Sequence, residues 1–358
     1  MIEHLYLHVP FCQSICHYCD FCHRLYDEEI VNKWLVELAK EIDLYNINNN
    51  LKTIYIGGGT PSSLSCGQLD KLLNLLKQYQ KEVIEYTVEV NPESIDIDKI
   101  KILKKYGVNR ISIGVEAIQD RLLKLMNRKH NFQDVQRIID LFIKEGIENI
   151  SCDLMYSLPS QTIDEFKDGL VAVSALPIKH LSLYSLTVED NTVFSKLKYE
   201  ALDDDIEADM YEMAIKFLEE KGYEQYEISN FAKDNAYSRH NLAYWTYKDF
   251  YGLSLGASGK IDNYRYDNTR NFKDYFEGKY LKERIVLSKE DMMFEEIMMS
   301  LRLKRGLDLK RFESRYSISF FDVYKKPLES HADDFVIDNN FLRVKNLALL
   351  NSILVDFL

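Results

Sequence analysis

Two rhythms of apolar and polar positions alternate along the first half of the chain. Short runs rich in β-branched and aromatic residues read as strands: Leu5 to Val9, Thr53 to Ile56, Tyr86 to Val90, Arg110 to Val115, Ile150 to Leu154 and His180 to Leu186. Between them apolar residues recur at helical spacing, which predicts amphipathic helices over Glu28 to Tyr45, Cys66 to Tyr79, Asp96 to Tyr106, Gln133 to Lys144 and Asp164 to Ser174. Two of these carry start signals, Ser65 with Gln68 and Thr162 with Glu165, the spacing at which side chains satisfy the free N–H groups of a first turn. A βαβα order predicts a parallel sheet or barrel, and six such units predict an α/β fold of the partial (β/α)6 barrel type over residues 1–190, with ligands at the C-terminal ends of the strands.

Past this point the rhythm changes. Residues 191–285 read as a connecting region, and residues 286–358 as a small helical module. The module pattern gives helices near Asp291 to Arg302, Asp308 to Tyr316 and Ser319 to His331, and then a hairpin from Phe335 to Val344 whose Asn339-Asn340 suits a tight turn. A last helix runs from Asn346 to Phe357. Three helices and a wing are similar to winged-helix DNA binders, with Lys304, Arg305, Lys310 and Arg311 nearby, but shape alone assigns no function. The net charge of −12 turns this reading toward a lid or packing module and away from nucleic acid, because backbone phosphates call for a cationic surface.

Composition changes the picture little. A chain of 358 residues with 46% hydrophobic and 12% aromatic residues has ample material for a core. Its start, Met1-Ile2-Glu3-His4, lacks the basic and apolar regions of a signal peptide, and no transmembrane segment is expected, since no apolar run approaches the ~20 residues that span a bilayer. The expected location is therefore the cytoplasm, where clustered cysteines bind metal or react rather than pair.

Four of the six cysteines fall between Cys12 and Cys22, directly after the first strand run. Cys12, Cys16 and Cys19 stand at C-x3-C-x2-C spacing, so one loop leaving a strand can direct three sulfurs at one centre. Structural zinc takes four ligands, usually as two pairs, and no second pair follows. A [4Fe-4S] cube on three thiolates keeps one iron open for chemistry. Further candidates sit at successive strand ends: Gly57-Gly58-Gly59-Thr60-Pro61, Glu89, Glu116, Arg128 after a short helix, and Asp153. Consecutive glycines let backbone approach a ligand, or make a sharp turn, at a spacing that matches neither phosphate-loop pattern. Three acids and an arginine at one mouth suit a ligand bearing an amino group, a carboxylate and hydroxyls.

The cysteine spacing, GGGTP and the glutamate after the third strand resemble the radical S-adenosylmethionine superfamily, and along nearly its whole length the chain resembles the oxygen-independent coproporphyrinogen III oxidase-like family. The resemblance implies that Cys12, Cys16 and Cys19 hold a [4Fe-4S] cluster whose open iron chelates S-adenosylmethionine. It further implies that Gly57, Gly58, Gly59 and Thr60 hold the methionyl part, that Glu89, Arg128 and Asp153 contact charged or ribose groups, and that Tyr6 and Phe21 line the same cofactor. Reduction of the cube would then cleave the sulfonium to methionine and a 5′-deoxyadenosyl radical.

His240-Asn241-Leu242-Ala243-Tyr244-Trp245 matches H-N-x-x-Y-W, which within that family marks the haem-chaperone branch and implies His240 as a haem ligand with aromatic walls beside it. A lone histidine among aromatics is more often a satisfied core residue than a ligand. Several positions depart from the branch pattern: Glu116 replaces Gln and adds a negative charge near the cofactor, Ser157 and Ser160 replace turn glycines, Ser258 replaces a His, and Cys22 is an addition. The expected function is a haem chaperone that passes haem to an acceptor protein and draws on an electron donor. The rival readings are radical decarboxylation of coproporphyrinogen III and nucleic-acid binding through the C-terminal module.

Overall fold

A computed structural model describes all of residues 1–358. The six predicted strands are present and pair side by side in sequence order, all parallel. They are β1 (His4–Val9), β4 (Thr53–Gly58), β5 (Glu85–Val90), β6 (Arg110–Glu116), β7 (Asn149–Tyr156) and β8 (His180–Ser185). The two-residue strands β2 (Phe11–Cys12) and β3 (Arg24–Leu25) pair with each other and clasp the ends of the cysteine loop. Helices α1 (Glu28–Tyr45), α2 (Cys66–Leu76), α3 (Ile97–Lys105), α4 (Asp120–Leu125), α5 (Phe132–Lys144) and α6 (Ile163–Ser174) connect the strands. Both predicted capping boxes form, Ser65 with Gln68 and Thr162 with Glu165.

Which face of each strand is apolar determines what the barrel does. Leu5, Leu7, Ile54, Ile56, Val88, Ile111, Ile113 and Ile150 are fully or almost fully buried in the main core. The alternate positions carry His4, Tyr6, Thr53, Tyr55, Glu89, Ser112, Asp153 and Ser182, and these face one another across the inside. The sheet therefore encloses a polar interior. β1 and β8 do not pair with each other, so the barrel stays open, as the partial (β/α)6 reading expects.

Past β8 come α7 (Val193–Lys196), α8 (Asp204–Glu220), β9 (Glu224–Gln225), β10 (Asn230–Ala232) and α9 (Arg239–Trp245). Next are β11 (Phe250–Leu253), β12 (Ser258–Ile261), β13 (Tyr264–Asn268), α10 (Phe272–Phe276) and β14 (Leu281–Val286). These strands join the barrel's own sheet, β10 and β9 antiparallel beyond β8, and β11 parallel beside β1 with β12 to β14 continuing outward. The short helix α9 crosses the foot of the barrel. Its first amides, those of Arg239 and His240, donate to the Glu85 carboxylate at the start of β5, at 2.9 and 2.8 Å, an anion at a helix N-terminus.

The C-terminal module has its own core of 16 buried residues. It comprises α11 (Lys289–Ser300), β15 (Leu307–Asp308), α12 (Leu309–Tyr316), α13 (Phe320–Val323), α14 (Lys325–Ser330), the hairpin β16 (Phe335–Asp338) and β17 (Phe341–Val344), and α15 (Leu350–Leu354). Asn339 and Asn340 both take positive φ, 48° and 68°, the turn that two-residue hairpins favour. The predicted helix from Ser319 to His331 is broken at Tyr324 (φ −105°, ψ 27°). Pro327 supplies the cause: its ring would clash with the carbonyl of Val323 in a continuous helix. The predicted last helix is likewise cut into 3-10 turns on either side of α15.

Candidate functional site

The C-terminal strand ends of β4 to β8 and the loop after β1 converge on one cavity of about 400 Å³. Cys12, Cys16 and Cys19 line it, together with Phe21, Gly58, Gly59, Thr60, Glu89, Glu116, Arg128 and Asp153. The cysteine loop is fixed from the far side of the barrel mouth. Asn127, in left-handed backbone at φ 62°, donates its side-chain amide to Ser14 Oγ and to the Ile15 carbonyl, at 3.1 and 2.8 Å. The His17 amide donates to the Met126 carbonyl, and the Arg128 guanidinium lies 3.6 Å from Cys16 Sγ.

The arrangement of the thiols and the arginine tests whether these residues suit the cluster and the cofactor. No three His, Cys, Asp or Glu side chains are gathered closely enough to share a single metal ion, whereas a cube assigns one thiolate to each of three separate irons. Burial pushes the Cys12 thiol up to about 11, with the Thr60 hydroxyl partly offsetting it. Burial, with repulsion from Cys16 and Cys12, pushes Cys19 up to about 12. As free thiols they hold their protons, and a bound cation would displace them. Arg128 donates to Asn91 Oδ1 at 3.0 Å and to the Gly114 carbonyl, yet its buried Nε has no partner, so the guanidinium retains a donor for an anionic group.

Opposite the arginine stand the acids. Glu89 accepts from Tyr55 OH at 2.7 Å and from the Gly58 amide at 3.0 Å. Burial nevertheless raises its carboxyl to about 7, with Asp153 adding repulsion. Burial and the nearby Glu116 raise Asp153 to about 6, against the hydroxyls of Ser182 and Ser112. A cationic ligand group would relieve both. Glu116, read as an added negative charge, lies 3.7 Å from Arg128, which compensates it.

The glycine run is closely packed on its protein side: a Cβ at Gly57 would lie 2.7 Å from the Glu89 carboxyl carbon, one at Gly58 (φ 106°) 2.5 Å from the His8 ring, and one at Gly59 2.8 Å from the Val9 carbonyl. Gly58 and Gly59 still border the cavity, whereas Gly57 and Tyr6 do not. Tyr6 lies below it and bonds to His8 Nδ1 at 3.0 Å. Finally, His240 is 1% exposed, with Nδ1 2.7 Å from Thr53 Oγ1 and Nε2 2.7 Å from Tyr244 OH. Both ring nitrogens are engaged inside the barrel foot, so in this conformation neither is free to ligate iron.

Cys22 also finds a place. It is 8% exposed, lies where a Cβ on Gly256 would meet it at 2.3 Å, and offers its carbonyl to His8 Nε2 at 2.7 Å. It packs the end of the cysteine loop and lines no part of the cavity. Residues missed by sequence reasoning are those that hold others in place: Tyr55, His8 and Arg270, the last donating to the Asp20 carbonyl at 2.8 Å. Tyr55 occupies an inward position of its strand, the one signal that was available for it. Ser157 and Ser160 both keep φ at 60°, so the turn expected from glycines is preserved.

Comparison with known proteins identifies the family. Residues 6–170 match the radical SAM superfamily and residues 287–350 the HemN C-terminal domain. The chain is 37% identical to the heme chaperone HemW of Lactococcus lactis subsp. lactis, over 99% of this chain and 96% of that one. It is also 37% identical to that of Bacillus subtilis, over 94% and 92%, and 35% identical to that of Escherichia coli, over 84% and 82%. Among solved structures, coproporphyrinogen III oxidase (HemN) from Escherichia coli superposes with a TM-score of 0.87 at 22% identity, covering 99% of this chain and 90% of that one. The fold is thus that of the radical SAM proteins, no helix is long and apolar enough to cross a membrane, and the chain belongs to the radical SAM superfamily and, within it, to the family of the HemW proteins.

Proposed function

We propose that the protein is a haem chaperone that binds a [4Fe-4S] cluster with S-adenosylmethionine at the barrel mouth, takes up haem, and hands it to an acceptor protein. The observation that carries this reading is the near full-length likeness, at 37% identity, to a relative named a heme chaperone. The HNLAYW segment of α9 accords with it.

In this reading Cys12, Cys16 and Cys19 hold the cluster. Arg128 receives the carboxylate of S-adenosylmethionine, while Glu89 and Asp153 take its amino and ribose groups, with Gly58, Gly59 and Thr60 along the methionyl part and Phe21 at the rim. Tyr6 and Gly57 act from beneath, Tyr6 through His8 and Gly57 by leaving room for the Glu89 carboxylate. Glu116 limits how much of the Arg128 charge is left for the ligand. When bound, the cluster supplies low-potential one-electron chemistry. Burial, which raises the Glu89 carboxyl and the Cys12 and Cys19 thiols, favours their protonated forms until cations arrive.

The deciding experiment uses anaerobic protein with the cluster rebuilt. Haem titration should give a saturable Soret change, and the loaded protein should pass haem to an apo-acceptor. Iron–sulfur absorption should vanish in Cys16→Ala and persist in Cys22→Ala. Turnover of coproporphyrinogen III, with 5′-deoxyadenosine appearing alongside protoporphyrinogen IX, would replace this reading by the enzymatic one.

A further inference from the structure

Each of the three cysteine sulfurs at the barrel mouth has one side-chain partner. Thr60 Oγ1 lies 3.6 Å from Cys12 Sγ, a guanidinium nitrogen of Arg128 3.6 Å from Cys16 Sγ, and His23 Nδ1 3.6 Å from Cys19 Sγ. Thr60 and Arg128 already have places beside the cofactor. His23 has none, although it is half-buried and lines the same cavity. Cys19 is the one group to which its ring bonds. The backbone amide of Phe21 also serves Cys19, but only the imidazole can be replaced without touching the main chain.

The segment that presents His23 is pinned on both sides. Arg270 donates to the Asp20 carbonyl at 2.8 Å, His8 Nε2 lies 2.7 Å from the Cys22 carbonyl, and the Arg24 amide donates to the Pro10 carbonyl at 3.0 Å. Beyond it the short strand β3 pairs with β2, and the Arg24 guanidinium lies over the Phe272 ring, 4.8 Å from its centroid. The backbone before and after His23 is therefore fixed by the barrel. Because this order is built into the fold, the imidazole loses little further freedom in staying at the sulfur.

A cysteine sulfur that ligates iron has no proton to give, so its neighbours can only donate to it. In the tautomer that carries hydrogen on Nδ1, His23 donates to Cys19 Sγ. One-electron reduction makes an iron–sulfur cube and its thiolates more negative. An N–H aimed at one of those sulfurs stabilises the reduced state more than the oxidised one, and hydrogen bonds to sulfur are among the terms that set a cluster's potential. We propose that His23 is a positioning residue that raises the reduction potential of the cluster through an N–H···S bond to Cys19, alongside Thr60 on Cys12 and Arg128 on Cys16. This rests on the reading that Cys12, Cys16 and Cys19 hold the cluster and adds how readily that cluster is reduced. No bond or proton is exchanged at His23; the electron comes from the donor that serves the cluster and stays on the cube.

The test is a potential titration of the full-length chain, reconstituted without oxygen and free of S-adenosylmethionine, read by the EPR signal of the reduced cluster with iron content measured on every sample. His23→Leu removes the donor, and His23→Asn, nearly the same shape as leucine, returns an N–H. At a fixed ambient potential His23→Leu should hold about tenfold less reduced cluster relative to oxidised, a downward shift of about 59 mV for one electron. His23→Asn should recover most of that loss, a separation of two side chains of one shape that a merely structural role would not produce. An unchanged potential in His23→Leu would overturn the proposal, as would an equal fall in both variants, which would show the ring excluding solvent instead of donating. Loss of iron from His23→Leu would overturn it too, making His23 a residue of cluster assembly. Each of these results leaves the cluster reading standing, whereas absence of a cluster in the unmodified chain would overturn both.

Discussion

Gly59→Ala tests whether the glycine run acts as a packing device for the cysteine loop. A Cβ at Gly59 would sit 2.8 Å from the Val9 carbonyl oxygen, 2.9 Å from the Phe11 carbonyl oxygen and 3.0 Å from the Phe11 amide nitrogen. All three are backbone atoms, so no side-chain rotation relieves the contact. The same backbone is held by Gly59 N–H donating to Val9 and Thr60 N–H donating to Phe11, each at 2.8 Å. Phe11 is fully buried against Trp34, with ring centroids 5.4 Å apart, so the loop base has nowhere to retreat. Overpacking of this kind costs about 1–3 kcal/mol. The displaced segment is Phe11-Cys12, so the strain acts on the first cluster ligand. The assay is urea unfolding together with iron content after anaerobic reconstitution, with Gly67→Ala as the comparison. Gly67 lies in the first turn of α2 with nothing within 4 Å of an added Cβ, and alanine there should stabilise by up to about 1 kcal/mol. Gly59→Ala should unfold at lower urea and retain less iron than the unmodified chain. Iron retention and a midpoint matching those of Gly67→Ala would refute the packing argument.

Two other perturbations follow from buried or strained groups away from the cluster. Glu41 is fully buried, accepts from the Ser254 amide, Asn268 and Tyr275 OH, and is raised by burial from 4.5 to about 7. The folded state therefore holds a proton that the unfolded state releases, so the stability Glu41 contributes is full below pH ~4.5 and is lost as pH rises through about 7; relative to Glu41→Gln, urea midpoints should show the unmodified chain losing about 3 kcal/mol over that window, and a pH-independent difference would contradict it. Ser160→Gly relieves a left-handed residue (φ 60°) at the loss of an exposed contact to Arg121 and should stabilise by about 1 kcal/mol; Ser157→Gly should gain little, because it also removes the hydroxyl that accepts from the Leu202 amide at 3.1 Å, and thermal unfolding of the two variants separates the cases.

The barrel was legible in the sequence because each strand carries one largely apolar face and five of the six barrel helices begin at a side-chain cap, and these local signals agree with the global fold. The cluster cysteines were legible for a similar reason: one short loop contains all three, so spacing along the chain predicts closeness in space. Tyr55, His8 and Arg270 were not, since each acts across the fold on a partner 14 to 250 residues away. Alternation on the strands was visible too, but its meaning was not. Polar residues at every second strand position ordinarily face water, whereas here they face the enclosed interior.

That polar interior is what changes the meaning of the HNLAYW segment. On a helix at the surface, His240 would be an available ligand. On α9, whose first amides are seated on Glu85, the histidine points into the barrel foot and bonds to Thr53, which in turn bonds to His4 at 2.8 Å. The buried chain His4–Thr53–His240–Tyr244 satisfies all but one of its ring nitrogens, since only His4 Nε2 lacks a partner. Leaving a buried donor or acceptor unpaired costs about 1–3 kcal/mol, so swinging His240 out toward iron would leave both Thr53 and Tyr244 short of a partner. The same chain fixes the Tyr244 hydroxyl on His240 at the foot of the barrel. A motif that reads as a ligand in one dimension is therefore, in this conformation, part of a buried hydrogen-bonded network at the foot of the barrel.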